Sequence, residues 1–148
     1  MKKKIKEAYE EIILKGRYFD PQVRVSIQPM APPGIEVIIG AITDSQFGPV
    51  IMFGLGGTTV EVYRDVSYRL LPLNVLSARE MIQEIKGFSL LQGYRGQKAV
   101  NLEPIIDILM KISVLVTTFT QIKEVDLNPV IVYQNKVLVV DSRILLAG

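Results

Sequence analysis

Val125-Asp126-Leu127-Asn128-Pro129, followed shortly by Val139-Val140-Asp141-Ser142-Arg143, is the stretch on which the fold turns. Both segments are apolar strands that carry oxygen-bearing side chains at matched positions. With Gln134-Asn135 as a two-residue hairpin loop, Tyr133 pairs with Lys136. Counting outward then sets Asn128 opposite Asp141 and Asp126 opposite Arg143, with all four on one face. Directly opposed residues have Cβ atoms about 4.5–5.5 Å apart, so one amide and one carboxylate can grip the same hard cation. The geometry depends on the loop. A turn at Asn135-Lys136 makes Asn128 and Asp141 diagonal neighbours, and a three-residue loop sends Asp141 to the other side. A purely structural alternative also stands, in which Asn128-Pro129 ends a strand and Asp141 meets Arg143 or solvent.

Working outward, 148 residues suffice for one ordinary domain or one piece of a larger protein, with enough apolar content to bury a core. The 17 Lys and Arg against 15 Asp and Glu leave almost no net charge, and the basic residues are scattered apart from Lys2-Lys3-Lys4. That excludes the footprint of a nucleic-acid binder and leaves the leading lysines as a solvated terminus. Glu7, Glu10 and Glu11 follow too soon for a secretory leader, and Lys111 interrupts the longest apolar helix pattern, so no membrane span is expected. Cysteine and histidine are both absent. Their absence rules out disulfides, thiolate chemistry, a Ser-His-Asp triad, histidine-ligated zinc and a phosphohistidine on this chain.

Ile5, Ala8, Tyr9, Ile12 and Ile13 recur at helical spacing, with Gly16 as a stop. Val23, Val25 and Ile27 alternate as in a strand, and Pro29, Pro32, Pro33 and Gly34 break the pattern like a hinge before a second strand, Ile35 to Ala41. Val50-Ile51-Met52-Phe53 is continuously apolar and predicts a strand buried on both sides, running into Gly54-Leu55-Gly56-Gly57. Ser77-Ala78-Arg79-Glu80 has the form of a capping box, and Asn101 caps a longer helix with Pro104 in its first turn. The expected order is α-β-β-β, glycine loop, β-α-α-β-β, which is α+β in class.

Three further groups can carry chemistry. Gly54-Leu55-Gly56-Gly57-Thr58-Thr59 offers amides and hydroxyls to a phosphate, or is simply a turn that lets strands approach closely. It lacks the Gly-Lys-Ser/Thr of a Walker loop, and Val60-Glu61-Val62-Tyr63 is a poor helix start for a dinucleotide fingerprint. Arg69 can fork onto a phosphate or pair with a neighbouring acid. Arg95, between Gly93 and Gly96, is the charged tip of a loop or part of an ordinary turn.

Several segments resemble one family together and in order. They are Gln28-Pro29-Met30-Ala31-Pro32, Gly34 to Gly40, Asp44 to Gly57, Val60-Glu61, Asp65 to Arg69, Gly93 to Gly96, Asp126 to Pro129 and Val140 to Arg143. The likeness is to the ATP-grasp subunit of ADP-forming acyl-CoA synthetases, with acetate–CoA ligase (ADP-forming) as type member and succinyl-CoA synthetases as relatives. The resemblance implies a cytoplasmic ligase that interconverts acyl-CoA, ADP and phosphate with acid, CoA and ATP through a phosphorylated histidine. It implies Mg²⁺ on Asn128 and Asp141, ATP or ADP lined by Gln28, Met30, Glu36, Gly56 and Gly57, and catalytic contacts from Arg69 and Arg95. The implied partner is a CoA-binding alpha-type subunit that carries the phosphohistidine.

Pro29, Ile35 and Ser142 depart from the family's usual residues and can each be accommodated. The larger departure precedes Met1, where the family has a nucleotide-binding lysine, a His-Lys pair and a Gly-Gly hairpin. Residues 1–30 are therefore expected to form a partial ATP-grasp lid, a helix plus a strand, and residues 31–148 the carboxy-terminal subdomain. A lid short of strands should pair with another chain that supplies the missing part, as a homo- or hetero-oligomer, and the chain should be inactive alone.

Overall fold

The computed structural model describes residues 2–57, 65–93, 96 and 98–148. The chain divides into two compact units, Met1–Pro32 and Pro33–Gly148.

The first unit is built on helix α1, Lys2–Arg17. Lys15 and Arg17 in its last turn complement the helix dipole, and Lys15 closes an i,i+4 pair with Glu11 at 2.7 Å. Gly16 lies inside the last turn, and its carbonyl accepts from the amides of Phe19 and Asp20 at 2.9 and 3.0 Å. The expected strand Val23–Ile27 does not form: residues 23–34 carry no regular secondary structure. Alternation of apolar residues needs a neighbouring ladder to become a strand, and no described strand pairs with this segment. Ile5, Tyr9, Ile12 and Leu14 remain exposed along α1.

The second unit is an antiparallel sheet with helices on one face, a two-layer arrangement. Its strands are β1 (Ile35–Asp44), β2 (Gly48–Leu55), β3 (Val66–Leu70), β4 (Ile122–Val132), β5 (Val137–Val139) and β6 (Ser142–Leu146). The order is β3-β2-β1-β4-β5, and β6 continues along the same side of β4. Helices α2 (Val75–Glu84), α3 (Phe88–Leu91) and α4 (Glu103–Thr118) lie between β3 and β4 in sequence.

The core lies between α2, α4 and the face of the sheet that carries Val37, Ile39, Ala41, Ile51, Phe53, Val125 and Leu127. Ile105, Ile106, Leu109, Ile112 and Val116 of α4 supply the apolar stripe that covers it. Two buried hydroxyls tie the layers together: Ser113 Oγ accepts from the Leu73 amide at 2.8 Å, and Ser67 Oγ donates to the Met81 carbonyl at 2.7 Å. The capping box expected at Ser77 is replaced by a cap three residues earlier. Asn74 accepts from the Ser77 amide at 2.8 Å, so the helix begins at Val75. The N-cap position of α4 is Leu102, one residue after the expected Asn101, whose side chain still accepts from the Glu103 amide at 3.1 Å.

The strand expected to be buried on both sides is buried on one. Ile51 and Phe53 are fully buried, whereas Val50 and Met52 are half-buried on the face without helices. No helix of the described residues is long and apolar enough to cross a membrane.

Candidate functional site

The last hairpin has the two-residue loop, Gln134-Asn135. The Tyr133 amide donates to the Lys136 carbonyl at 2.8 Å, and Val132 pairs with Val137. The register then holds outward: Val130 faces Val139, Leu127 faces Ser142 and Asp126 faces Arg143. Between these pairs the Asn128 amide donates to the Asp141 carbonyl at 3.2 Å, which sets the two residues directly opposite each other.

Asn128-Pro129 does not end the strand. β4 runs through to Val132, and the β1–β4 register shifts between Val37↔Val130 and Ile39↔Leu127. Two residues of β4 therefore stand where β1 offers one, Ile38. This bulge has two consequences. Val125, Leu127, Val130 and Val132 all stay on the core face despite their uneven spacing, and a proline without an amide is accommodated in an interior strand. The Asn128-Pro129 peptide is cis.

Asn128, Asp141 and Arg143 are exposed, and Asp126 is half-buried, on the face that the helices leave open. The Asp141 carboxylate is oriented by the Ser142 amide, which donates to Oδ1 at 2.9 Å. Burial pushes the Asp126 carboxyl above its ordinary value, Glu124 and Asp141 push it the same way, and Arg143 opposes them. A cation between these residues would relieve that crowding of negative charge. The sequence reading gave Asp126 no role, although the alternation Glu124-Val125-Asp126-Leu127-Asn128 places both acids and the amide on one side.

The donors are hard oxygens and few in number. No group of three or more His, Cys, Asp or Glu that could hold a metal occurs among the described residues. A pair of opposed oxygen ligands suits Mg²⁺, which keeps waters and substrate phosphates in its shell, better than it suits the fuller cage of Ca²⁺.

Glu36 and the glycine turn meet where β1 begins and β2 ends. The Gly56 amide donates to the Glu36 carbonyl at 2.7 Å, and a Cβ on Gly56 would lie 3.0 Å from the Glu36 backbone. Gly57 has φ +82°, and a Cβ there would lie 3.3 Å from Glu36 Oε2. A carboxylate this close opposes a second anion and favours hydroxyl donors. Glu36 faces Ile131 in the register, three residues along β4 from Asn128, or about 10 Å of strand.

Two of the remaining candidates belong to the first unit. There the Gln28 side-chain amide donates to Ser26 Oγ at 3.5 Å, and Met30 is 94% exposed. Arg69 is separated from the metal pair. It faces Ile51 across the ladder and so projects on the helix side, where Nη2 meets Glu84 Oε2 at 2.7 Å and Nη1 donates to the Tyr68 carbonyl. This is the acid-pairing alternative, and it takes the guanidinium away from the face of Asn128 and Asp141. Arg95 lies outside the described residues, as do Thr58, Thr59 and Val60 to Tyr63. The open face also holds a cavity of about 320 Å³, whose lining includes Gly40, Met52, Tyr68, Glu124 and Asp126.

Residues 1–146 match the model of the ATP-grasp domain family, and the chain belongs to that family. Within it, the chain is similar to the beta subunits of two ADP-forming acetate–CoA ligases of Pyrococcus furiosus. It is 44% identical to ligase I over 95% of this chain and 62% of the subunit, and 47% identical to ligase II over 97% and 64%. Among solved structures it is similar to the dinucleotide-forming acetyl-coenzyme A synthetase 1 of Ca. Korarchaeum cryptofilum. That match has a TM-score of 0.89 and 44% identity, covering 99% of this chain and 65% of that one. The Korarchaeum protein was solved with coenzyme A and Mg-AMPPCP, its phosphohistidine segment pointing towards the nucleotide-binding site. The chain thus spans just under two thirds of the length of these relatives.

Proposed function

We propose that this chain is the nucleotide-binding part of an ADP-forming acyl-CoA synthetase, which in the family interconverts acyl-CoA, ADP and phosphate with acid, CoA and ATP. The observation that carries this reading is the direct opposition of Asn128 and Asp141 across the last hairpin. In this reading the two side chains hold Mg²⁺ on the tail of ATP or ADP. Glu36, Gly56 and Gly57 receive the ribose end, about 10 Å away along the strand, and Gln28 and Met30 belong to the adenine-lining segment. A bound magnesium ion supplies neutralisation of phosphate charge during phosphoryl transfer. The chain's own contribution is to fix the ligand pair by the hairpin register and to orient Asp141 through the Ser142 amide. Arg95 remains a proposed phosphate contact, and Arg69 is assigned to support of the fold.

With no histidine among these 148 residues, the phosphohistidine of this reading would be supplied from outside them. We assign that role to a CoA-binding alpha-type subunit in a cytoplasmic hetero-oligomer, with a further chain or segment covering the exposed helix α1 and completing the lid. The chain by itself is expected to be inactive. Co-expression with candidate alpha-type subunits, followed by co-purification and an acyl-CoA-dependent ATP-formation assay, tests this. Activity only in the reconstituted complex is the expected result, and no activity in any mixture counts against it. A second reading is a non-catalytic ATP-grasp module. That reading is selected if a partner co-purifies and Mg-ADP binds but no turnover appears.

A further inference from the structure

We infer that Asp65 is a positioning residue that holds the glycine turn Gly56-Gly57 in place for the nucleotide. Its functional consequence rests on the reading of that turn given above. Asp65 stands immediately before β3, and its two carboxylate oxygens each accept one backbone amide from the turn between α2 and α3. Oδ1 accepts from Lys86 and Oδ2 from Gly87, both at 2.7 Å. Hydrogen bonds from successive amides to one ionised carboxylate are among the stronger restraints a surface turn can have.

The contact reaches the glycine turn through close packing. A Cβ on Gly87 would lie 2.1 Å from Leu55 Cδ1, so the amide that Asp65 holds belongs to a residue pressed directly on Leu55. Leu55 ends β2 and precedes Gly56. From the other side, a Cβ on Gly54 would lie 2.8 Å from the Asp65 carbonyl oxygen, so backbone meets backbone there with no slack. The Asp65 side chain and main chain therefore grip Gly54-Leu55 from both flanks, while the Gly56 amide is tied to the Glu36 carbonyl. Loss of the clamp would free Gly87 and Leu55 together and move the turn relative to Glu36.

The test compares Asp65→Asn with Ser67→Ala in the full chain. Ser67 ties β3 to α2 through the Met81 carbonyl and reaches the Phe53 carbonyl of β2 at 3.4 Å, so its loss is a structural control of similar placement with no hydrogen bond to Gly56 or Gly57. Amide chemical shifts and hydrogen exchange of Gly56 and Gly57 are recorded without nucleotide, and Mg-ADP affinity is measured by calorimetry. The expected result is that Asp65→Asn shifts the two glycine amides, speeds their exchange and weakens Mg-ADP about tenfold, or about 1.4 kcal/mol. Ser67→Ala should lower the melting temperature and do neither. Unchanged glycine amides in Asp65→Asn, or equal changes in Ser67→Ala, would overturn the inference. If the unsubstituted chain binds no Mg-ADP, the nucleotide reading fails, while the ligand-free amide comparison still decides whether Asp65 positions the turn. Should Asp65→Asn not fold, Asp65→Ser carries the same comparison, because its hydroxyl can still accept one N–H.

Discussion

The two faces of the sheet in the second unit share the same strands and differ in almost everything else. On the helix side, Val37, Ile39, Ala41, Ile51, Phe53, Val125 and Leu127 are buried under α2 and α4. On the open side, the alternate positions of those strands carry Gly40, Met52, Asp126 and Asn128, with Asp141 and Arg143 on the neighbouring edge. The difference follows from the two-residue period of a strand: one set of positions holds the fold together, and the other is available for chemistry. Substitutions on the first face should therefore change stability and leave nucleotide affinity alone, with the reverse on the second.

The largest effect is expected on the covered face. Phe53→Ala removes a fully buried ring from the core and should cost about 3–5 kcal/mol in urea unfolding. Mg-ADP affinity of the folded fraction should stay unchanged, and a large loss of affinity would break the division between the faces. On the open face, Asn128→Ala should weaken Mg-ADP about tenfold or more. Its urea midpoint should move by no more than about 0.5 kcal/mol equivalent.

Arg69→Ala sharpens the comparison, because the resemblance places this arginine with the chemistry and the structure places it beside Glu84. A loss of only about 0.2–1 kcal/mol in stability is expected, since the pair is partly solvated, with Mg-ADP affinity unchanged. A drop in affinity without a drop in stability would restore Arg69 to the site.

The smallest effect concerns the β1–β2 turn, which belongs to neither face. There the Phe47 and Gln46 amides hold the Asp44 carboxyl below its ordinary value. A depressed carboxylate stabilises the fold above its unfolded-state value and loses that contribution as pH falls through the folded one. Asp44→Asn should therefore lower the melting temperature slightly near neutrality, and the gap to the unsubstituted chain should close on acidification. A gap that persists at low pH would mean that the turn depends on something other than ionisation.

The register of the last hairpin was legible only conditionally: a two-residue loop fixes every pair beyond it, but Gln134-Asn135 is a weak turn signal and the sequence left two other loops open. Once Tyr133 is seen to pair with Lys136, counting along the strands locates Asn128 and Asp141. The bulge at Asn128-Pro129 was not legible, because Asn-Pro reads locally as a strand stop, and only the pairing with β1 shows that the strand continues. The segment at Val23 failed in the opposite direction. Its alternation is genuine, but alternation carries no information about whether a partner strand is present. Val50 to Phe53 looked buried on both sides because apolar content cannot distinguish a covered face from an open one. The helix cap was misplaced because Ser77 satisfies a local pattern that Asn74 preempts. Glu84, the partner of Arg69, is fifteen residues away on a helix and had no local signal.

The account stands most directly on the magnesium-dependent binding of ADP at Asp141. Calorimetry of the full chain with ADP in magnesium, and again with the metal chelated, should show binding only in the first condition. Asp141→Ala should abolish that binding while retaining the unsubstituted melting temperature. Binding of equal strength in Asp141→Ala, or binding indifferent to magnesium, would contradict the account.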